Sequence, residues 1–295
     1  MLLRAFAPAK INLSLHVGPP KANGRHDLIS LVVFADDSVA DELSTAPAHH
    51  FSLAVNGPFA KAAGPAQDNL VLKAARALTE QLDNDLPRLA FSLTKNLPCA
   101  AGIGGGSADA AAALRLMVKA HGGETARAAA LKAAPVLGGD VLSCFYALPG
   151  LMQGEGEIFE PMLSVPPLPA LLVNPGVDCP TGPIFRAYDM TAPAKIADHP
   201  APPAGRARAQ DFVEWLQRNT QNDLQAVAIK RVPIIKTVLD HLGGLPEIRL
   251  ARMSGSGATC FGLFPTLDSS EKAREILQAA HPDWWVKSTL LGRGV

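Results

Sequence analysis

The chain has 295 residues, 48% of them hydrophobic and 18% charged, with Lys+Arg and Asp+Glu balanced at 27 each. This composition fits a globular chain long enough for two domains and argues against disorder. A net charge of zero gives no bulk positive field to collect nucleic acid or anionic lipid, so neither is expected as a partner, and any bound anion must be held by local geometry.

Residues 2–17 alternate around short apolar runs and read as strand, turn, strand, with Pro8 as punctuation. Further strands are predicted at 28–35 and 50–56. The apolar spacing of Leu70, Ala74, Leu78 and Leu82 predicts a helix over 69–82, capped by Asp68 or Asn69. Leu89–Thr94 reads as a strand. A glycine-rich loop, Ala100–Gly106, runs straight into an alanine-rich helix, Ser107–His121, which Gly122-Gly123 ends. Another helix is expected at 126–137, interrupted by Pro135. Gly138-Gly139 then precedes Asp140. Around 149–161 the pattern turns Gly- and Glu-rich, and the domain boundary is placed there, dividing 1–155 from 156–295. The second half opens with a strand at 170–173. Residues 191–209, rich in Ala and Pro, are expected to form a mobile surface loop. Helices are predicted at 211–219, 221–231 and 234–242, then strand, glycine turn, strand over 248–264, a helix at 270–280 and a strand at 284–290.

The four cysteines (Cys99, Cys144, Cys179 and Cys260) form no C-x-x-C pair, and no histidine lies at metal-ligand spacing from them, so no structural metal site is read. Dispersed cysteines suit a reducing compartment. Arg4 and Lys10 interrupt the apolar N-terminus, which therefore does not read as a secretory signal. No apolar run approaches the ~20 residues of a membrane span. The expectation is a soluble, cytoplasmic protein.

The strongest single feature is Pro98-Cys-Ala-Ala-Gly-Ile-Gly-Gly-Gly-Ser-Ala-Asp109. Glycines without Cβ let several backbone N–H groups converge, and a helix that starts immediately afterwards adds its unpaired N–H groups and positive dipole end. Together these suit a polyphosphate. Ser107 can cap the helix or donate to a phosphate. Two familiar phosphate motifs are excluded. The chain has no Gly-Lys dipeptide for a Walker A loop, and Ser107 stands where the dinucleotide fingerprint needs its third glycine. A second glycine turn, Ser254-Gly-Ser-Gly-Ala258, reads alone as a hairpin turn.

Lys10 lies in Ala7-Pro-Ala-Lys-Ile-Asn-Leu-Ser14 and Asp140 follows Gly138-Gly139, both in weakly hydrated surroundings. They read either as a buried ion pair or as the groups of phosphoryl transfer to an alcohol. In the second reading an Asp accepts the hydroxyl proton and a Lys offsets developing negative charge.

Three segments in order resemble the motifs of the GHMP kinases, named for galactokinase, homoserine kinase, mevalonate kinase and phosphomevalonate kinase. They are PAKINLSLHV (8–17), PCAAGIGGGSADAAAAL (98–114) and MSGSGATCFGLF (253–264). GRHDLISL (24–31), QDNLVLKAA (67–75), GGDV (138–141), TGPIF (181–185) and QNDLQ (221–225) resemble segments of the branch that acts on diphosphocytidyl-methylerythritol. The resemblance implies an α+β fold with a ribosomal-S5-like N-terminal domain that binds ATP and a ferredoxin-like C-terminal domain. It implies an ATP-dependent kinase, with Mg2+ arriving on the ATP, that phosphorylates the 2-hydroxyl of a cytidine diphosphate-linked polyol. This is a step of non-mevalonate isoprenoid precursor synthesis. By the same analogy Asp140 is the base and Lys10 its partner. Pro98, Ala101, Gly102, Ile103, Gly104, Gly105, Gly106 and Ser107 wrap the ATP phosphates, with Asn69 and Lys95 on the nucleotide side. Asn12, Arg25, His26, Thr181 and Phe185 fall on the cytidine substrate side, His26 bonding the base and Phe185 stacking on it. The expected assembly is a monomer or weak homodimer.

The chain departs from the pattern at several positions. Arg25 replaces a usual Tyr, which reads either as a planar guanidinium standing in for an aromatic wall or as an altered affinity for the substrate. Leu142 replaces a Pro, Gly139 an Ala, and Ala100-Ala101 two glycines. Other readings are a homoserine- or mevalonate-type GHMP kinase and a catalytically silent ligand-binding protein of the same fold. Retention of both Lys10 and Asp140 argues against silence.

Overall fold

The computed structural model describes residues 2–82, 87–162, 165–196, 201–203 and 207–292. These fall into two compact units. The first comprises 1–10, 39–99 and 104–147, and the second 11–38, 100–103 and 148–295.

The first unit is built on a sheet of β1 (Leu3–Pro8), β5 (Ala40–Pro47), β7 (Leu89–Thr94) and β6 (Ser52–Asn56), in that order. All pairings are antiparallel except β6 with β7. Strict alternation of buried and half-buried residues along β7 is the pattern that made it legible. Four helices accompany this sheet: α1 (Leu70–Gln81), α2 (Gly105–His121), α3 (Gly123–Leu137) and α4 (Val141–Tyr146). The Asn69 side chain caps α1 by accepting from Val71 N–H at 2.9 Å. In α2, Ala110–Ala113 are all fully buried, and side chains this small let α1, α3, α4 and β1 approach from every direction. Pro135 lies inside α3 without ending it.

The second unit contains two sheets. One joins β2 (Lys10–Asn12), β4 (His26–Phe34), β8 (Gly150–Gly154) and β9 (Ile158–Pro161), with β3 (His16–Pro20) also paired to β4. The other is antiparallel and orders β11 (Leu250–Met253), β12 (Cys260–Leu263), β10 (Leu168–Asn174) and β13 (Trp285–Leu291). Helices lie between β10 and β11 and between β12 and β13, so connectivity and strand order are those of the ferredoxin-like split βαβ. The helices are α5 (Thr181–Asp189), α6 (Ala209–Asn219), α7 (Gln225–Arg231), α8 (Ile234–Gly243) and α9 (Leu267–Ala280). Their core includes Leu171, Val173, Ile235, Val238, Leu242, Met253 and Leu277. Buried Arg252 satisfies carbonyls at the end of α6, donating to Leu216 and Thr220, and reaches the Leu13 carbonyl at 2.5 Å.

Besides the uninterrupted α3, the structure adds two elements that the sequence reading lacked, β5 and α5, and recasts one segment. Strand β5 was not anticipated. Residues 149–161 form the β8–β9 hairpin rather than turns alone. TGPIF opens a helix, α5. Part of the loop expected over 191–209 lies outside the described residues.

Candidate active site

Within the first unit, Lys10 Nζ donates to Asp140 Oδ1 at 2.6 Å. The lysine side chain is 4% exposed and the aspartate 32%, so the ammonium is enclosed while the carboxylate keeps access to solvent. Gly104 lies against this pair: a Cβ there would stand 3.3 Å from Lys10 Cβ and 3.7 Å from Asp140 Oδ2. Gly104 adopts φ +64° and serves as the N-cap of α2, its carbonyl accepting from Ala108 N–H at 2.8 Å. A glycine is what permits this left-handed cap beside packed side chains. Beyond it, Gly105, Gly106 and Ser107 form the first turn of α2, whose N–H groups have no acceptor within the helix. Pro98 precedes the loop and is buried.

Lys95 is buried beneath the start of α2. It donates to Asp109 at 2.7 Å and to Asp41, and its Nζ is 3.1 Å from where a Cβ on Gly105 would stand. Asp41 also accepts from the Asn96 and Leu97 N–H groups. Burial pushes the Asp109 carboxyl up to about 7 against the pull of Lys95. Burial also opposes the charge on Lys95, but Asp109 and Asp41 outweigh it and hold the ammonium above its ordinary value. Asn69, read as a nucleotide-side residue, spends its side-chain oxygen on the α1 cap.

Within the second unit, Ala101, Gly102 and Ile103 meet the Ser254–Ala258 turn. Ser254 Oγ donates to the Gly102 carbonyl at 3.0 Å, and Thr259 N–H to Ala101 at 3.1 Å. The Asn12 backbone N–H donates to Ser254 Oγ at 3.1 Å, and its side-chain Nδ2 donates to Ser30 at 2.7 Å. Asn12 Oδ1 is buried and accepts no hydrogen bond among the described residues. Asn222 holds the glycine turn from the other side, donating to the Met253 and Gly255 carbonyls, both at 2.8 Å.

Also in this unit, the ring centroids of His26 and Phe185 are 4.9 Å apart, tilted by 46°. Thr181 Oγ1 lies 3.0 Å from Ser256 Oγ. Arg25 is exposed, with its guanidinium 3.3 Å from Glu155 in a polar cluster with Lys21 and Asn23.

The sequence reading gave no individual role to Asp41, Asp109, Asp189, Asn222 or Ser254, although Asp109, Asn222 and Ser254 lie within motifs it marked. Asp189 stands four residues after Phe185 and eight after Thr181, a spacing that marks a shared face only once TGPIF is known to open a helix.

Residues 69–147 match the GHMP kinases N terminal domain, and residues 205–283 match GHMP kinases C terminal. The 4-diphosphocytidyl-2-C-methyl-D-erythritol kinase of Hyphomonas neptunium is 49% identical over 98% of this chain and 97% of its own length. This chain belongs to the GHMP kinase family. A second relative of this GHMP kinase, the identically named protein of Methylobacterium radiotolerans, is 45% identical over 98% of the chain and 99% of its own. Among solved structures, a 4-(cytidine 5'-diphospho)-2C-methyl-D-erythritol kinase superposes with a TM-score of 0.78 at 29% identity, covering 99% of this chain and 100% of the other. A homoserine kinase from Cytophaga hutchinsonii gives 0.66 at 16% identity over 99% and 96%, a likeness of fold alone.

Proposed function

We propose that this GHMP kinase transfers the γ-phosphoryl group of ATP to the 2-hydroxyl of 4-diphosphocytidyl-2-C-methyl-D-erythritol, a step of non-mevalonate isoprenoid precursor synthesis. The observation that carries the chemistry is the 2.6 Å Lys10–Asp140 pair with Gly104 packed against it. The substrate follows from relatives of that name at 45–49% identity across nearly the whole chain.

In this reading Asp140 accepts the proton of the attacking hydroxyl. Lys10 holds the carboxylate in place and offsets the negative charge that grows on the oxygen. Phosphoryl transfer is chiefly positioning and electrostatics, so few side chains suffice. The Gly104 cap and the N–H groups of Gly105, Gly106 and Ser107 receive phosphate oxygens, and Pro98–Ile103 shapes the approach. Asn12 Oδ1, His26, Thr181 and Phe185 address the cytidine-linked acceptor, and exposed Arg25 is available to its diphosphate or base. The N-terminal part, 1–155, carries ATP. The described residues hold no cluster of three or more His, Cys, Asp or Glu, so no protein cage for a metal is among them. Magnesium that accompanies ATP needs only one or two protein oxygens, and the Ser107 hydroxyl in the first turn of α2 would be the hard donor on offer, Asp140 being committed to Lys10 and the proton. When bound, it neutralises phosphate charge. No described helix is long and apolar enough to cross a membrane. A cytoplasmic location and a monomeric or weakly dimeric state belong to this reading on the sequence alone.

The test is ADP release from Mg-ATP with four acceptors: the diphosphocytidyl compound, free methylerythritol phosphate, homoserine and mevalonate. Turnover confined to the first is expected. Turnover with homoserine or mevalonate instead would reject the substrate while leaving the kinase assignment.

A further inference from the structure

Helix α5 carries Thr181, Phe185 and Asp189 at intervals of four residues, which lines them along one face. Thr181 reaches Ser256 and Phe185 meets His26, as above. Asp189, in the last turn of the same helix, has its Oδ1 2.6 Å from His26 Nε2. Phosphoryl transfer makes no use of this contact. It occurs where His26 is 6% exposed, and a carboxylate bonded to an enclosed imidazole is a strong orienting partner.

A carboxylate is an acceptor only, so Nε2 must carry the proton of this hydrogen bond. In the neutral ring, Nδ1 is then an acceptor. We propose that Asp189 is a positioning residue for base recognition, holding the His26 ring at Phe185 with Nδ1 as an acceptor and so selecting a base that presents an amino group. The inference rests on the reading above that the acceptor substrate carries a cytidine. Cytosine presents an exocyclic amino group where uracil presents a carbonyl oxygen. An acceptor nitrogen pairs with the first and faces a second acceptor in the other.

Replacing Asp189 does not release α5. Tyr188 donates its hydroxyl to the Val17 carbonyl at 2.8 Å, and Ile184 is 1% exposed in the core.

The experiment compares wild type, Asp189→Ala and Asp189→Asn in two assays. One is kcat/KM with cytidine- and uridine-diphosphate-linked methylerythritol, and the other is calorimetric binding of CDP and UDP. Asp189→Ala is expected to lower the cytidine-to-uridine ratio about tenfold in both, with kcat on the cytidine compound and KM for ATP unchanged. Asp189→Asn, whose amide oxygen still accepts from Nε2, is expected to retain part of the preference. An unchanged ratio in Asp189→Ala, or a loss shared by both bases together with kcat and KM for ATP, overturns the proposal. If wild type turns over neither compound, the phosphoryl-transfer reading fails, and the CDP and UDP affinities still decide the role of Asp189 by the same criterion.

Discussion

Lys10 Nζ and Asp140 Oδ1 stand 2.6 Å apart across 130 residues of sequence, one enclosed and the other one-third exposed. The carboxylate remains accessible, as a proton acceptor must.

Asp140→Asn keeps an acceptor for Lys10 but cannot take a proton. Its kcat is expected to fall by roughly 10²–10⁴-fold with KM for ATP little changed, measured by steady-state ADP release. Asp140→Ala leaves the buried ammonium unpaired, and a loss of about 2 kcal/mol in denaturant unfolding is expected. This is below the figure for a fully buried pair because Asp140 is partly exposed.

Gly102 has φ +72°, and a Cβ there would lie 2.5 Å from the Ser254 carbonyl oxygen and 2.7 Å from that of Gly257. Both neighbours are backbone, which cannot swing aside. Gly102→Ala is expected to cost about 2–4 kcal/mol, combining left-handed strain with overpacking. A lowered denaturant midpoint at unchanged m-value is the measurement.

Much of this architecture was readable from periodicity. Strand β7 and helix α1 announced themselves because their apolar residues recur at the spacing of their buried faces. Strand β5 did not, because ADELSTAP places Asp41 at a fully buried position where a pattern search expects an apolar side chain. The ammonium of Lys95 makes that burial tolerable, and no local pattern reveals a partner 54 residues away. Gly150 looked like a turn residue, yet a Cβ there would stand 2.4 Å from the Phe159 ring, so it serves close cross-strand packing inside β8. Helix α5 was hidden by Gly182 and Pro183, but both fall in its first turn, where no intrahelical N–H donor is needed. For the site, small neighbours and glycines marked Lys10 and Asp140 individually. Their meeting, and the contacts that Asp109 and Asp189 make, depended on tertiary placement.

The Asp41–Lys95–Asp109 cluster predicts a pH effect. Burial raises the Asp109 pKa from 3.8 to about 7, so the folded state holds a proton there that the unfolded chain has released. Its contribution to stability is therefore fullest below about pH 4 and declines as pH rises towards 7. Asp109→Asn removes this titration while keeping an oxygen for Lys95. The difference in Tm between variant and wild type is expected to shift in the variant's favour between pH 4 and 7 and to level off above.

Phe185 is half-buried and packs its ring against His26. Base stacking on an aromatic side chain contributes about 1–3 kcal/mol. Phe185→Ala is expected to raise KM for the cytidine-linked acceptor roughly tenfold or more, while KM for ATP stays within twofold. Initial rates with each substrate varied in turn provide the check.

In the proposed reaction Asp140, held by Lys10, is the base for phosphoryl transfer to a cytidine-linked alcohol. Its most direct test is ADP release from Mg-ATP with 4-diphosphocytidyl-2-C-methyl-D-erythritol, run with wild type and Asp140→Ala side by side, both verified as folded. Turnover by wild type is expected, with a loss of at least about 100-fold in the variant. Undiminished turnover in Asp140→Ala would contradict the assigned base, and absence of turnover in wild type would contradict the assigned reaction.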